Sequence, residues 1–329
     1  MLYSLKSKKI LSILSFSLLL VLCFLSAYFM LINDKDGSFV NCSTDSDFIK
    51  YAEFNPTYEA LEYCMNVDIN AQKSEHQINW IDLLAYYAAK YYGDFSKYEN
   101  SSISKIADKL KTGISIEKLC EDNNIENFEY YKEVYTAVLA GFLGYKNDNS
   151  DEYGLKVYFP IAKSFAYEHY DDFGNMRTYG YTRPHLGHDL IAQTGTPVIA
   201  VEDGIVEVMG WNQYGGWRIG IRSYDKKRYY YYAHLRKDKP FQEGLSENQA
   251  VKAGDVIGYV GKTGYSLTEN TNNIQTSHLH FGMQLIFDES QKECDNEIWI
   301  NLYHITRLLE KNKSEVYRNS ETKYFYKKD

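Results

Sequence analysis

The residues best placed to do chemistry in this sequence are histidines. Five of the eight lie between positions 185 and 280. His185-Leu-Gly-His-Asp189 forms an H-x-x-x-D pattern, His278-Leu-His280 forms an H-x-H pattern, and His234 follows the tyrosines at 229–232. In a strand, residues two apart share a face, so His278 and His280 would point one way with Gly282 and Gln284. Leu279, Phe281, Met283 and Leu285 would then point into a core. A catalytic zinc ion takes three nitrogen or oxygen ligands and keeps its fourth position for water. His185, Asp189 and one of the H-x-H pair would supply such a set, and a His-His-Asp set suits zinc better than calcium or copper. Zinc held there would bring the pKa of its water toward neutrality and polarise a carbonyl. Either pattern alone occurs by chance on surface strands. Their order within one segment, with Gly187 inside the first, marks a site.

These residues need a sheet to carry them. From residue 153 onward short β-rich runs (198–201, 205–208, 217–222, 228–233 and 256–260) alternate with turn signals such as Glu202-Asp-Gly204, Tyr214-Gly-Gly216 and Lys262-Thr-Gly264. That is the pattern of an antiparallel sheet domain, expected over 153–310. Upstream, 53–146 reads as a small all-α domain of three or four helices. One spans 78–93, one carries Ile103, Ile106 and Leu110 with Ser102 able to cap it, and one spans 127–144. The tyrosines at 86, 87, 91 and 92 read as core. A polar hinge at 146–152 separates the two segments, 298–310 reads helical, and 311–329 is a charged tail. The fold class is therefore α+β.

Length suggests about two domains, and a net charge of −8 speaks against a nucleic-acid partner. Residues 10–32 carry no charge. At about 1.5 Å per residue they would cross the ~30 Å hydrocarbon core of a bilayer. Lys6, Lys8 and Lys9 precede this stretch and Asp34 and Asp36 follow it. That places the N-terminus in the cytoplasm and the remainder outside, by a transmembrane anchor at 1–33 and a tether at 34–52. A cleaved signal peptide is the competing reading, with Ala27 as a poorly matched cleavage position. The five cysteines, at 23, 42, 64, 120 and 294, show no C-x-x-C spacing and read as unpaired. The 32 tyrosines read mainly as AT-rich codon usage and core filling. By strand alternation, Tyr230 and Tyr232 would share a face with His234 and lie along its site.

The stretch 181–285 resembles the LytM/lysostaphin-type zinc metallopeptidases that cut peptidoglycan peptides. The matching blocks are His185-Leu-Gly-His-Asp-Leu190, Gly195-Thr-Pro-Val198, Ala200-Val-Glu-Asp-Gly-Ile-Val206, Tyr232-Ala-His-Leu235, Val251-Lys-Ala-Gly-Asp-Val-Ile-Gly258, Gly261-Lys-Thr-Gly264 and Ser277-His-Leu-His-Phe281. The resemblance implies a compact antiparallel domain with one zinc ion per chain, held by His185, Asp189 and His280. It makes His234 and His278 the non-ligand catalytic histidines, one a general base and the other a stabiliser of developing charge. His188 falls at a variable position, where a supporting or surface role is expected. One departure is the polar insertion at 268–276, which would either wall the groove or extend a neutral loop. The implied function is an anchored zinc endopeptidase acting on peptidoglycan at the outer face of the membrane. The alternative is a non-catalytic wall-binding or scaffold protein whose helical domain docks a protein partner. A sugar-phosphotransfer carrier shares part of the β framework, but the anchor and Asp189 speak against it. The bond cut is left open.

Overall fold

The computed structural model describes residues 48–146, 150–292, 294 and 296–328. The expected anchor and nearly all of the tether lie outside the described residues. Among the described residues no helix is long and apolar enough to cross a membrane. The described residues form one compact unit.

Among the described residues five helices come first, three of them started by a side-chain cap. At α1 (Tyr58–Ala71) the Thr57 hydroxyl accepts the Ala60 N–H. At α2 (Trp80–Tyr91) Asn79 Oδ1 accepts the Ile81 N–H at 2.8 Å, and the helix closes with Tyr92 in the left-handed region ahead of Gly93. The helix α3 (Asn100–Leu110) starts two residues before Ser102, which therefore sits in its first turn and does not cap it. Ser115 caps α4 (Ile116–Asp122). The last of the five, α5 (Phe128–Leu139), stops short of the expected 144. Ala140 is extended at ψ 135° and Gly141 takes φ 81°, which turns the chain into a strand. Sequence patterning missed α1, which has no terminal glycine, and α4, which is only seven residues long. Of the tyrosine run, Tyr86 and Tyr87 are core, whereas Tyr91 and Tyr92 are 39% and 80% exposed.

The strand β1 (Leu143–Tyr145) pairs with β2 (Tyr153–Leu155). Then follow β3 (Tyr167–His169), the hairpin β4 (Met176–Tyr179) and β5 (Tyr181–Pro184), β6 (His188–Ala192), β7 (Pro197–Ile199), β8 (Gly204–Asn212), β9 (Gly216–Ser223) and β10 (Arg228–Ala233). After these come β11 (Ala250–Val251), β12 (Val256–Tyr259), β13 (His278–Leu285), β14 (Ile298–Trp299), α6 (Tyr303–Leu309) and the hairpin β15 (Val316–Arg318) and β16 (Phe325–Lys327). The main sheet runs β11-β8-β9-β10-β13-β6-β3, with β14 also beside β13, and all its pairings are antiparallel. Residues 298–299 are thus strand, contrary to the helical expectation. They pair with Leu285 and Gln284, and the helix begins only after Asn301 Oδ1 has accepted the Tyr303 N–H. The C-terminal tail is a hairpin that packs Val316, Tyr324 and Phe325 on Ala162, Ile199, Val256 and Tyr259.

Helices and sheet share one apolar cluster, from Leu61, Leu84 and Tyr135 through Phe159 and Val198 to Tyr230, Phe281 and Leu308. One buried cation joins them. Arg228 on β10 is 2% exposed and meets Glu202 through two 2.8 Å bonds. It also donates to the Ala137 carbonyl in the last turn of α5 at 2.7 Å. A bidentate pair satisfied in this way fixes direction as well as charge.

Candidate functional site

Strand register brings the donor set together. Asp189 on β6 lies opposite His280 on β13, and Ala233, just before His234, flanks His280 from β10. Opposed residues in antiparallel strands hold their Cβ atoms about 5 Å apart. On β13, Leu279, Phe281, Met283 and Leu285 are at most 1% exposed, while His278, His280 and Gln284 line a groove on the other face. His185 arrives from the loop after β5.

Three ligand atoms converge. His185 Nε2 lies 2.8 Å from His280 Nδ1, and Asp189 Oδ1 lies 3.0 Å from each of them. Tetrahedral zinc with bonds of about 2.0–2.1 Å would space its ligand atoms about 3.3 Å apart. The spacing here is within a few tenths of an ångström of that, and two imidazole nitrogens with one carboxylate oxygen are donors that zinc accepts. Asp172 sets the tautomer of His185. The Nδ1 of His185 faces the Asp172 carboxylate at 3.1 Å and its backbone carbonyl at 3.2 Å, both acceptors. Nδ1 therefore carries the hydrogen, and Nε2 presents its lone pair to the centre. Burial opposes charge on His185, but the hydrogen bonds to Asp172 and Asp189 outweigh it and lift its pKa to about 9. Without a metal Nε2 is therefore protonated toward Asp189, and a cation at the centre takes that proton's place on the lone pair. Burial likewise opposes charge on Asp189, yet hydrogen bonds from His185 and His280 hold it far below the carboxylate range. Arg177 Nη2 on β4 donates to Asp172 at 2.7 Å and to the second Asp189 oxygen at 3.2 Å, bridging the two carboxylates.

Asp172 and Arg177 escaped the sequence reading. They stand thirteen and eight positions from His185, and no spacing marks them. Backbone hydrogen bonds bring them in: the Gly174 N–H donates to the His185 carbonyl, and the His185 N–H donates to Asn175. Gly187 serves the same centre by its small size. A Cβ there would lie 2.5 Å from His280 Cε1, 2.6 Å from Nε2 and 3.0 Å from the Phe281 carbonyl. His188 alternates away from Asp189 and is buried. Its Nε2 lies 2.8 Å from His169 Nδ1, whose other nitrogen lies 3.1 Å from Glu310.

Two further imidazoles face the centre. His234 Nδ1 donates to the Thr263 carbonyl at 2.9 Å and His278 Nδ1 to the Thr276 carbonyl at 2.8 Å. A carbonyl only accepts, so in the neutral rings each Nε2 carries a lone pair. The His278 Nε2 is 3.7 Å from Asp189 Oδ1, and the His234 and His278 ring centroids are 4.8 Å apart. His234 is buried, which pushes its pKa well below the usual imidazole value, with the nearby His278 and His280 acting in the same direction. The Gly261–Gly264 turn supplies the Thr263 carbonyl. Gly264, at φ 120°, runs so close that a Cβ would lie 3.0 Å from His234 Nδ1.

One expectation is reversed. Tyr230 and Tyr232 are fully buried in the core, whereas Tyr229 and Tyr231 line the groove. Alternation would put Tyr230 and Tyr232 on the His234 side only if His234 continued the strand. Instead β10 ends at Ala233, and His234 takes φ 60°, a left-handed conformation that re-aims its ring. The groove has a volume of about 730 Å³. Ile274, Gln275 and Thr276 form part of its wall. The insertion that carries Ile274 to Thr276 is pinned by Asn270, which accepts from Trp217 Nε1 and from the Asp238 N–H at 2.9 Å each. Cys64, Cys120 and Cys294 are free thiols.

Residues 183–294 match Peptidase family M23. An L-Ala--D-Glu endopeptidase of Bacillus subtilis (strain 168) is 36% identical over 169 residues, covering 50% of this chain and 49% of that protein. The glycyl-glycine endopeptidase ALE-1 of Staphylococcus capitis is 38% identical over 98 residues, covering 30% of this chain and 24% of that protein. The chain thus spans about half the length of the first of these relatives and about a quarter of the second. A solved structure from Ruminococcus gnavus ATCC 29149, assigned as a glycyl-glycine endopeptidase lytM, superposes with a TM-score of 0.52 at 25% identity. It covers 80% of this chain and 91% of that one.

Proposed function

We propose, from the premise that residues 183–294 belong to peptidase family M23, that this chain is a zinc-dependent endopeptidase that cleaves peptide bonds of peptidoglycan. The observation that carries the reading is the convergence of His185 Nε2, Asp189 Oδ1 and His280 Nδ1 within 3.0 Å of one another. The relatives named for cutting L-Ala–D-Glu and glycyl-glycine bonds support the substrate class.

His185, Asp189 and His280 would hold the ion. Zinc, when bound, supplies Lewis-acid charge that lowers the pKa of a water and polarises the scissile carbonyl. Asp172 and Arg177 keep two of the three ligands in place, since His185 Nδ1 and the second Asp189 oxygen are engaged from behind. The Nε2 atoms of His234 and His278 do the proton work. With both Nδ1 hydrogens committed to carbonyls, one Nε2 accepts a proton as water adds to the carbonyl carbon. A protonated Nε2 then donates to the oxygen that gains charge or to the departing amine. The groove walls position an extended peptide across this centre. We place the activity at the outer face of the membrane, a reading supported by the uncharged stretch at 10–32 and the lysines that precede it.

The test is His280→Ala in the full chain, with zinc content and peptidoglycan solubilisation measured together. Zinc and activity should be lost while the far-UV circular dichroism is retained. A His280→Ala protein that still clears peptidoglycan would end this reading.

A further inference from the structure

Arg218 on β9 is the groove's uncommitted charge, and we propose that it binds a carboxylate of the peptide substrate within a few residues of the scissile bond. This rests on the endopeptidase reading and narrows its substrate to acidic peptides. The other cations that line the groove are engaged. Arg177 bridges Asp172 and Asp189, and Lys292 pairs with Glu207. Arg183 lies among the Tyr181, Tyr214 and Tyr265 rings, 4.7 Å from the nearest ring centroid, and donates to the Tyr179 carbonyl. Among the described residues Arg218 has no carboxylate within ion-pair distance and no hydrogen-bond partner, and its Nε is buried without one. Its single contact of note is the Tyr231 ring, 6.0 Å from the guanidinium carbon. Arginine presents a planar fork that matches a carboxylate, and a partner lowers the cost of a half-buried unpaired charge. In a chain of net charge −8, a free guanidinium kept in the groove favours an anionic ligand there.

Tyr231 sets the distance. Its ring centroid is 5.8 Å from that of His280. Arg218 therefore lies one aromatic ring from the metal ligands, at most about 12 Å by that route. An extended peptide advances about 3.3–3.6 Å per residue. The carboxylate read by Arg218 thus belongs to a residue close to the bond that is cut. A neutral glycine run has no such group.

The experiment compares two synthetic peptides with the full chain. They are identical except that one carries a free carboxylate beside the scissile bond and the other a carboxamide. The unmodified chain should cleave the carboxylate peptide with kcat/KM about tenfold or more above the carboxamide peptide. Arg218→Gln should bring the two values together, mainly through KM. Arg218→Lys should keep part of the ratio because it keeps the charge without the fork. Equal cleavage of both peptides by the unmodified chain, or a ratio that survives Arg218→Gln, overturns the assignment. If neither peptide is cut, the endopeptidase reading fails by itself. Calorimetric binding of both peptides to the unmodified chain and to Arg218→Gln then decides the role of Arg218, by the same comparison.

Discussion

Gly187→Ala is the smallest change that should disable this centre. Its backbone φ is not in the left-handed region, so alanine there carries no backbone strain, and the effect must come from the added methyl. That carbon would sit 2.5 Å from His280 Cε1 and 2.6 Å from Nε2, with the Phe281 carbonyl at 3.0 Å closing the other side. Carbon atoms in contact prefer about 3.5–4.0 Å, so the His280 ring must retreat by roughly 1 Å. Its Nδ1 is within 3.0 Å of both His185 and Asp189, and a retreat of that size takes it out of the donor set. A displacement of this order costs roughly 10²-fold in catalysis, and overpacking costs about 1–3 kcal/mol of stability. The assay is zinc affinity by competition with a chromophoric chelator, alongside a urea melt. The variant should fold with a modestly lowered midpoint and bind zinc 10–100-fold more weakly, the range seen when a ligand's support is removed. Wild-type zinc affinity in a folded Gly187→Ala protein would refute the claim that Gly187 makes room for His280.

Asp172→Asn should weaken zinc binding about 10–100-fold, because the amide no longer fixes the His185 tautomer by its charge. The same competition titration reads this, and an unchanged affinity would remove Asp172 from the account. Arg228→Ala strands Glu202 in a buried site and should cost about 3–5 kcal/mol, lowering Tm by on the order of 10 °C. A calorimetric scan with no shift would show that the pair does not join the helices to the sheet. The same arginine sets a pH dependence. Burial opposes charge on Asp225, but Arg228 outweighs it and keeps the Asp225 pKa low. A depressed carboxylate stabilises the fold above its unfolded pKa of about 3.9 and ceases to do so as pH falls through its folded value. As pH falls below about 4 the Arg228→Ala protein should therefore lose less stability than its parent.

Much of the site is legible in the sequence because it depends on local spacing. Period-two alternation along β13 places His278 and His280 on one face and four apolar residues on the other, and a strand keeps that rule as long as it stays a strand. The tyrosine assignment failed where the strand ended, since a single left-handed residue at His234 cancels the alternation. Asp172 and Arg177 were illegible for a different reason. They reach His185 through a turn and a short hairpin, and tertiary hydrogen bonds fix their distance from it. Arg218 carries no motif either, and its meaning comes from the partners it lacks in the folded groove. The helix expected at 298–310 lost its first turn to pairing with β13, a contact 13 residues away that no local pattern encodes.

The most direct test of the account is mass spectrometry of muropeptides after digestion of purified peptidoglycan with the full chain, with and without a chelator. New peptide termini should arise with the active chain, vanish with the chelator and return when zinc is restored. Termini released equally in the presence of the chelator would contradict a metal centre built from His185, Asp189 and His280.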